Sequence, residues 1–439
     1  MPKFTILRRK RFHPRGICLW HELGTPRPLL STGQVLIAGG QDDHFVELST
    51  AELCDPSTGT FSATGTMTAA RSAHTATLLT NGQVLMTGGF TVPPSGKFSA
   101  QLDSAELHDP STGTFIPTVG MSASRVGHTA TMLTDGRVLI VGGTQQFLSA
   151  EMYNPADGTF NPVGGVVNAP IWNGATIWCA TPDSATLLPN GNVLFTFSCW
   201  DDGDYLQDTE HITAVYDSLT ATFSRAADIT QGYVRTATLL GDGTALTAGQ
   251  NYTSYDSPML TSHADVYDPV SGTFSITGTM ISGRVFHTAT LLPDGTVLVA
   301  GGRVPAEGLN PPWQCTAAAE IYHPAMLTPS PVLYSLPGAT QGVIWHAATG
   351  EVASSNNPAV AGEVLSLYTS NLIEGAVIPP QLAVGGRPAE VLYFGDAPGY
   401  PGYSQVNFRV PAGVPSGPRV SVRLTYLGRP SNAVTIAVQ

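Results

Sequence analysis

Two stretches of this chain gather residue types that handle sugars or cations. NAPIWNGATIWCATPDS at 168–184 carries Trp172 and Trp178, and CWDDGDYLQDTEH at 199–211 carries Trp200, Asp201, Asp202, Asp204, Tyr205, Asp208, Glu210 and His211. An indole is a flat platform for the apolar face of a sugar ring, and carboxylates accept hydrogen bonds from its hydroxyls. The run Asp201-Asp202-Gly203-Asp204 also offers oxygens to Ca²⁺. It lacks the full spacing of any calcium loop and reads first as a solvated acidic turn. Two carboxylates here would suit glycoside hydrolysis as well, where the deciding quantity is their separation. Tyr252, Tyr255 and Trp313 are aromatics of two later irregular stretches. Singly, each reads as a cover over a sheet edge.

A second pattern is RxxH, at Arg71 and His74, Arg125 and His128, and Arg284 and His287, with Arg235 standing at the histidine position of a degenerate copy. One reading is a ring of cations around a channel mouth, suited to an acidic ligand. The other pairs each arginine with an acid of its own repeat, among Glu52, Glu106, Glu151, Asp265 and Glu320. Residues that recur with the fold serve the fold, so the second reading is preferred.

The five cysteines (Cys18, Cys54, Cys179, Cys199 and Cys315) include no CxxC pair, so zinc-type spacing is absent. If the hairpin of the fourth unit turns at Asn190-Gly191, Cys179 and Cys199 fall within a residue or two of facing each other. A disulfide there would fit an oxidising compartment. Two independent buried thiols are the alternative.

These residues sit on a repeat. LLTNGQVLMTGG at 78–89 returns as MLTDGRVLIVGG at 132–143 and LLPDGTVLVAGG at 291–302, with weaker copies at 29–40, 187–198 and 239–250. Each is followed by a second phrase, such as AELHDPSTGTF at 105–115 or ADVYDPVSGTF at 264–274. Asn-Gly and Asp-Gly between apolar strands suit a type I′ hairpin, whose central residues need positive φ. Four strands per unit and a period of roughly 50 residues specify a six-bladed β-propeller over 29–327. The first–second and third–fourth turns are short and alike. The second–third and fourth–first connections vary and share the opposite face, which is where a binding site is expected. Blade four, holding the tryptophans, departs most from the pattern. Cys54 takes a slot that is Tyr in blades three to six and is expected in the core.

Closing the ring should draw one strand from residues 1–28. That segment instead carries Lys3, Arg8, Arg9, Lys10, Arg11, Arg15 and Arg27 against Glu22. It reads as a mis-called or frame-shifted start that has replaced the closing strand and any signal peptide. A basic arm for nucleic acid or membrane is the other reading. The whole chain has a net charge of −12, which argues against a nucleic-acid partner. Only 12% of residues are charged, about half the usual share, in keeping with an all-β extracellular protein. No apolar run is long enough to span a bilayer. A monomer is expected.

After a Pro/Gly/Ser-rich linker at 328–355, alternating apolar residues from 356 to 439 predict a small Ig-like β-sandwich. Two resemblances follow from these phrases. The RxxHTATLLxDGxVLxxGG units resemble kelch repeats of the galactose-oxidase central domain. NPAVAGEVLSLYTSNL at 357–372, LAVGGRPAEVLYFG at 382–395 and SQVNFRVPAGV at 404–414 resemble an uncharacterised C-terminal domain of secreted acidobacterial proteins. The first resemblance implies a copper-radical oxidase as the enzymatic alternative. Such a site needs two His, a Tyr and a Cys-linked Tyr, one His coming from the C-terminal domain, yet no His follows His346. The expectation is therefore a non-catalytic extracellular protein that binds a glycan or an envelope protein. It is expected to need no cofactor, with Ca²⁺ admissible and copper disfavoured.

Overall fold

The computed structural model describes residues 3–7, 26 and 28–439, except 31, 43, 45, 57, 93–99, 145–148, 165–170, 173–174, 179–180, 202–207, 228, 230–235, 250–261, 285, 306–312 and 326–327. Among the described residues there are strands and no helix. Six separate sheets form the propeller blades. Blade three shows the full unit: Thr129–Met132, Val138–Val141, Ala150–Asn154 and Thr159–Val163 pair in sequence order, all antiparallel. Its second strand is buried throughout, while its fourth is half-buried to exposed. This gradient follows from radial packing, in which second strands are flanked on both faces by neighbouring blades. Apolar clusters accordingly span adjacent blades, as where Leu85 and Met121 meet Val138, Ile140 and Tyr153.

The third and fourth strands are locked by a cross-strand aromatic pair. The phenylalanine of the GTF phrase lies opposite the tyrosine slot, giving ring centroids 4.8 Å apart at Tyr153 and Phe160 and 4.9 Å apart at Tyr267 and Phe274. In blade one Cys54 fills the slot opposite Phe61. It is half-buried rather than a core residue, because Phe61 is itself 59% exposed.

The N-terminal segment requires a correction. It does supply the closing strand: Lys3–Leu7 pairs antiparallel with Ala319–His323 and becomes the fourth strand of blade six. The Lys-Phe-Thr-Ile-Leu alternation is strand-like, but the basic residues that follow it hide that signal. Joining the N-terminal segment to the last strand of the repeat in one sheet pairs an edge of each. Blade one has three strands among the described residues, Val35–Ala38, Thr50–Asp55 and Thr60–Thr66, with Leu29 bridged to Val35 where a first strand would run.

The blades are stitched by close backbone contacts at the Gly-Gly pairs. Gly40 N–H donates to Arg71 O at 2.9 Å, and Gly89 N–H to Arg125 O at 2.8 Å, each across a blade boundary. Gly88 has φ +62°, and a Cβ there would sit 2.5 Å from Arg125 O. Gly88→Ala therefore meets both backbone strain and a backbone clash. We expect a loss of about 2–3 kcal/mol, read as a lower urea midpoint.

The linker expected at 328–355 is also corrected. Val332–Leu333 and Ile344–His346 both pair with Val364–Ser370, so the second domain starts near 332. Its Pro and Gly disguised two short strands. Two sheets share the strand Arg387–Asp396, which pairs with Gln381–Val384 through its first residues and with Ser404–Arg409 through the rest. They enclose one apolar core that includes Leu365, Leu382, Phe408, Leu424 and Ile436. This domain sits on the short-turn side of blades four to six. Val377 N–H donates to Pro189 O at 2.7 Å. A Cβ on Gly191, Gly241 or Gly243 would lie 3.1, 2.9 or 3.0 Å from Val377, Arg429 or Ile373. Arg429 is buried in this seam and donates to Pro329 O at 2.6 Å.

Candidate functional site

The face opposite this seam carries the elaborations. In blade four the second and third strands, Val193–Asp201 and Asp208–Asp217, run to 9 and 10 residues, against four to six in the other blades. Their excess lies at the second–third end, where a further strand joins them. Ala175–Trp178 pairs with the extended second strand, placing Ile177 opposite Asp201 and Trp178 opposite Trp200. Ile171–Trp172 pairs next, with Trp172 opposite Ala175. The fourth–first connection is thus folded into the same sheet as the second–third hairpin. A β-bulge interrupts the hairpin between Cys199, opposite Glu210, and Trp200, opposite Asp208. Bulges bend a strand and increase its twist, and they recur beside binding sites.

Three of the expected tryptophans and Asp201 are therefore brought into one sheet extension. Asp202, Asp204 and Tyr205, expected beside them, lie outside the described residues, as does Arg235. Blades two and six bear smaller ribbons at the same end. In blade two Phe90–Thr91 pairs with Ala100–Gln101, and in blade six Arg303–Pro305 pairs with Trp313–Cys315. Sequence reading passed over these ribbons, since strands of two or three residues leave no periodicity to detect. The available signal was slight: Phe90-Thr91 on one side of the blade-two insertion, and Val304 and Trp313 on the two sides of the blade-six insertion.

The Cys179–Cys199 bridge cannot be placed, because Cys179 lies outside the described residues. Cys315 is disulfide-bonded, and Cys54 is a free thiol.

The RxxH residues do not form a cationic mouth. Arg71, Arg125 and Arg284 are each at most 1% exposed, and each pairs with the third-strand acid of its own blade. Arg71 Nη2 lies 2.7 Å from Glu106, Arg125 Nη2 2.7 Å from Glu151, and Arg284 Nη2 2.5 Å from Glu320. The other terminal nitrogen, Nη1, donates to the first Gly carbonyl of the Gly-Gly pair, as Arg125 does to Gly142 O at 2.7 Å. The carboxylates also accept backbone N–H groups from the preceding loop: Thr68 to Glu106, Ser122 to Glu151 and Ile281 to Glu320, each at 2.7 Å. Burial with a paired charge and several hydrogen bonds is a clamp that closes each of these three blades on itself, although Arg71 Nε and Arg284 Nε are left without a partner. In blade one, which has no arginine at this position, Glu52 is exposed.

The histidines bridge blades. His128 Nε2 meets Thr87 Oγ1 at 2.9 Å and Thr75 Oγ1 at 3.0 Å, both in blade two, and His287 Nε2 meets Thr236 Oγ1 of blade five at 3.0 Å. His74 faces blade one, which has no matching threonine strand, and neither of its ring nitrogens has a partner. Burial first, and the neighbouring Arg71 and His128 second, lower the His74 pKa to about 3. Burial and Arg125 lower that of His128 to about 3. Both rings are neutral near pH 7 and contribute no positive charge to a channel.

Among the described residues no group of three or more His, Cys, Asp and Glu is arranged to hold a metal ion. Among them also, no helix is long and apolar enough to cross a membrane.

No family model and no curated protein matches the chain. Solved structures do match. One is a fungal alcohol oxidase of the AA5 family in complex with copper, 15% identical, with a TM-score of 0.43, covering 94% of this chain and 96% of that one. The architecture given above rests on the strand pairing of this chain itself.

Proposed function

We propose that this protein is a non-catalytic, extracellular binding protein that presents the second–third and fourth–first face of its propeller to a glycan or an envelope protein, with blade four at the centre. The observation that carries this reading is the added pairing of 175–178 with the 193–201 strand. It brings Trp172, Trp178, Trp200 and Asp201 into one sheet extension, which among the described residues no other blade has. Building the site on paired strands limits the ordering cost of binding. The C-terminal domain supports the same reading, since it occupies the opposite side and leaves this face open to a partner.

A glycan array with wild-type protein and Trp200→Ala tests it. Loss of one indole platform should weaken a wild-type signal by about 2 kcal/mol, or roughly 30-fold. An unchanged signal removes blade four from the site. No binding by either protein leaves the protein partner as the working reading. Stoichiometric copper in purified protein, with turnover of an alcohol, would replace the binding reading by an oxidase.

A further inference from the structure

The C-terminal domain carries a concave site on the outer face of its first sheet. Along Val364–Ser370 the residues alternate, with Leu365 and Leu367 buried in the core and Ser366 and Tyr368 facing outward. Ile344–His346 pairs beside it, turning Ile344 and His346 inward and Trp345 outward. Tyr334 is held next to these strands by the Val343 N–H to Tyr334 O bond of 2.8 Å. Facing this floor is the loop Ala397-Pro398-Gly399-Tyr400-Pro401-Gly402-Tyr403, built as two successive Pro-Gly turns. Gly399 and Gly402 have φ of 79° and 81°, and Tyr400 N–H and Tyr403 N–H each donate to the carbonyl three residues back. Proline followed by a positive-φ glycine makes a type II turn stiff, so Tyr400 and Tyr403 are fixed before any ligand arrives.

Together these residues line a cup of about 160 Å³. The rings touch in series. Centroids are 5.2 Å apart for Trp345 and Tyr368, 5.4 Å for Tyr368 and Tyr400, and 5.6 Å for Tyr334 and Tyr403. Tyr400 and Tyr403 remain 56% and 43% exposed.

We propose that this cup is a carbohydrate-binding subsite that stacks one pyranose ring of a neutral glycan. Its chemistry is a wholly apolar lining of aromatic faces for the C–H face of the sugar, whose hydroxyl groups remain directed to solvent. Two rivals fit less well. A polyproline ligand repeats every three residues, about 9 Å, and asks for adjacent grooves, whereas this is a single cup. A quaternary ammonium would gain from acidic surroundings, but no carboxylate lines the cup, and residues 332–439 carry five acids against five arginines. The proposal does not rest on the blade-four reading.

The test is calorimetric titration of the full chain in a Trp200→Ala background, which removes the blade-four platform. The probes are cellohexaose, chitohexaose and mannohexaose, with decaproline and choline alongside. Binding of at least one hexasaccharide is expected with a dissociation constant of about 1 mM or tighter. Adding Tyr400→Ala and Tyr403→Ala should weaken it at least about tenfold. Both lie on an exposed loop, so the fold should survive, and Tyr403→Phe, which keeps the ring, should retain most of the affinity. Three results would overturn the proposal: no hexasaccharide binding, binding that the loop variant leaves unchanged, or binding of decaproline or choline alone that the loop variant abolishes. Loss of glycan binding on Trp200→Ala alone would leave blade four standing and the cup without a role.

Discussion

Arg125→Met is expected to destabilise the protein by about 3–5 kcal/mol, a large part of a typical total of roughly 5–15 kcal/mol. The side chain is 1% exposed, and its removal leaves Glu151 buried with an uncompensated charge. It also strips a donor from Gly142 O and Ser149 O, at 2.7 and 3.0 Å. Glu151→Gln should cost less, because an amide oxygen still accepts from Ser122 N–H. Chemical denaturation of the single and double variants would give the coupling between the two residues. A coupling near zero would show that the pair is not the clamp described above. If the RxxH motif served ligand binding instead, Arg125→Met would alter binding and leave the unfolding midpoint unchanged.

Acidification should unfold the propeller from pH 6.5 downward, while the C-terminal domain resists. His74 and His128 have folded pKa values near 3, below their unfolded value of about 6.5. The unfolded chain therefore takes up protons first. The stability contributed by the neutral rings is complete above pH 6.5 and is lost as pH falls toward 3. Each ring costs about 1.4 kcal/mol per pH unit in that window. From pH 6.5 to 5 the two together remove about 4 kcal/mol. His346 works in the opposite sense. Burial opposes its charge, but hydrogen bonds to Glu363 Oε1 at 2.5 Å and Asn357 O at 3.0 Å outweigh it and raise its pKa. Its contribution is present at low pH and fades as pH rises through its folded pKa. Thermal melts from pH 7.5 to 4.5 should separate one transition into two, the acid-sensitive one shifting up in His74→Leu. Two transitions that shift in parallel would contradict this assignment.

The repeating parts of the protein are legible in its sequence because they are local. A two-residue Asn-Gly or Asp-Gly turn, an apolar run and a Gly-Gly stop specify a hairpin from a dozen consecutive residues. Repetition then forces neighbouring hairpins into a ring. The same locality allowed Arg71, Arg125 and Arg284 to be set in advance against Glu106, Glu151 and Glu320, since in each of these three units the arginine stands at the entry to the first strand and the acid on the third.

Everything that happens once was decided by the tertiary structure. Lys3–Leu7 finds its partner more than three hundred residues away, and five residues carry too little periodicity to announce a pairing. The histidines looked like cations because their types were visible and their burial was not. Only burial, and the arginine beside each ring, determine that His74 and His128 are neutral. Trp178 and Trp200 stood near each other as a guess about loops, and their direct opposition depends on a register that a bulge offsets. The aromatic cup went unnoticed because its rings come from 334, 345, 368, 400 and 403. The Pro-Gly-Tyr-Pro-Gly-Tyr run showed a stiff loop, but the wall it faces exists only once the sheet has formed. A sequence expresses what neighbours along the chain do to one another. Closure, burial and convergence are set by residues that become neighbours only on folding.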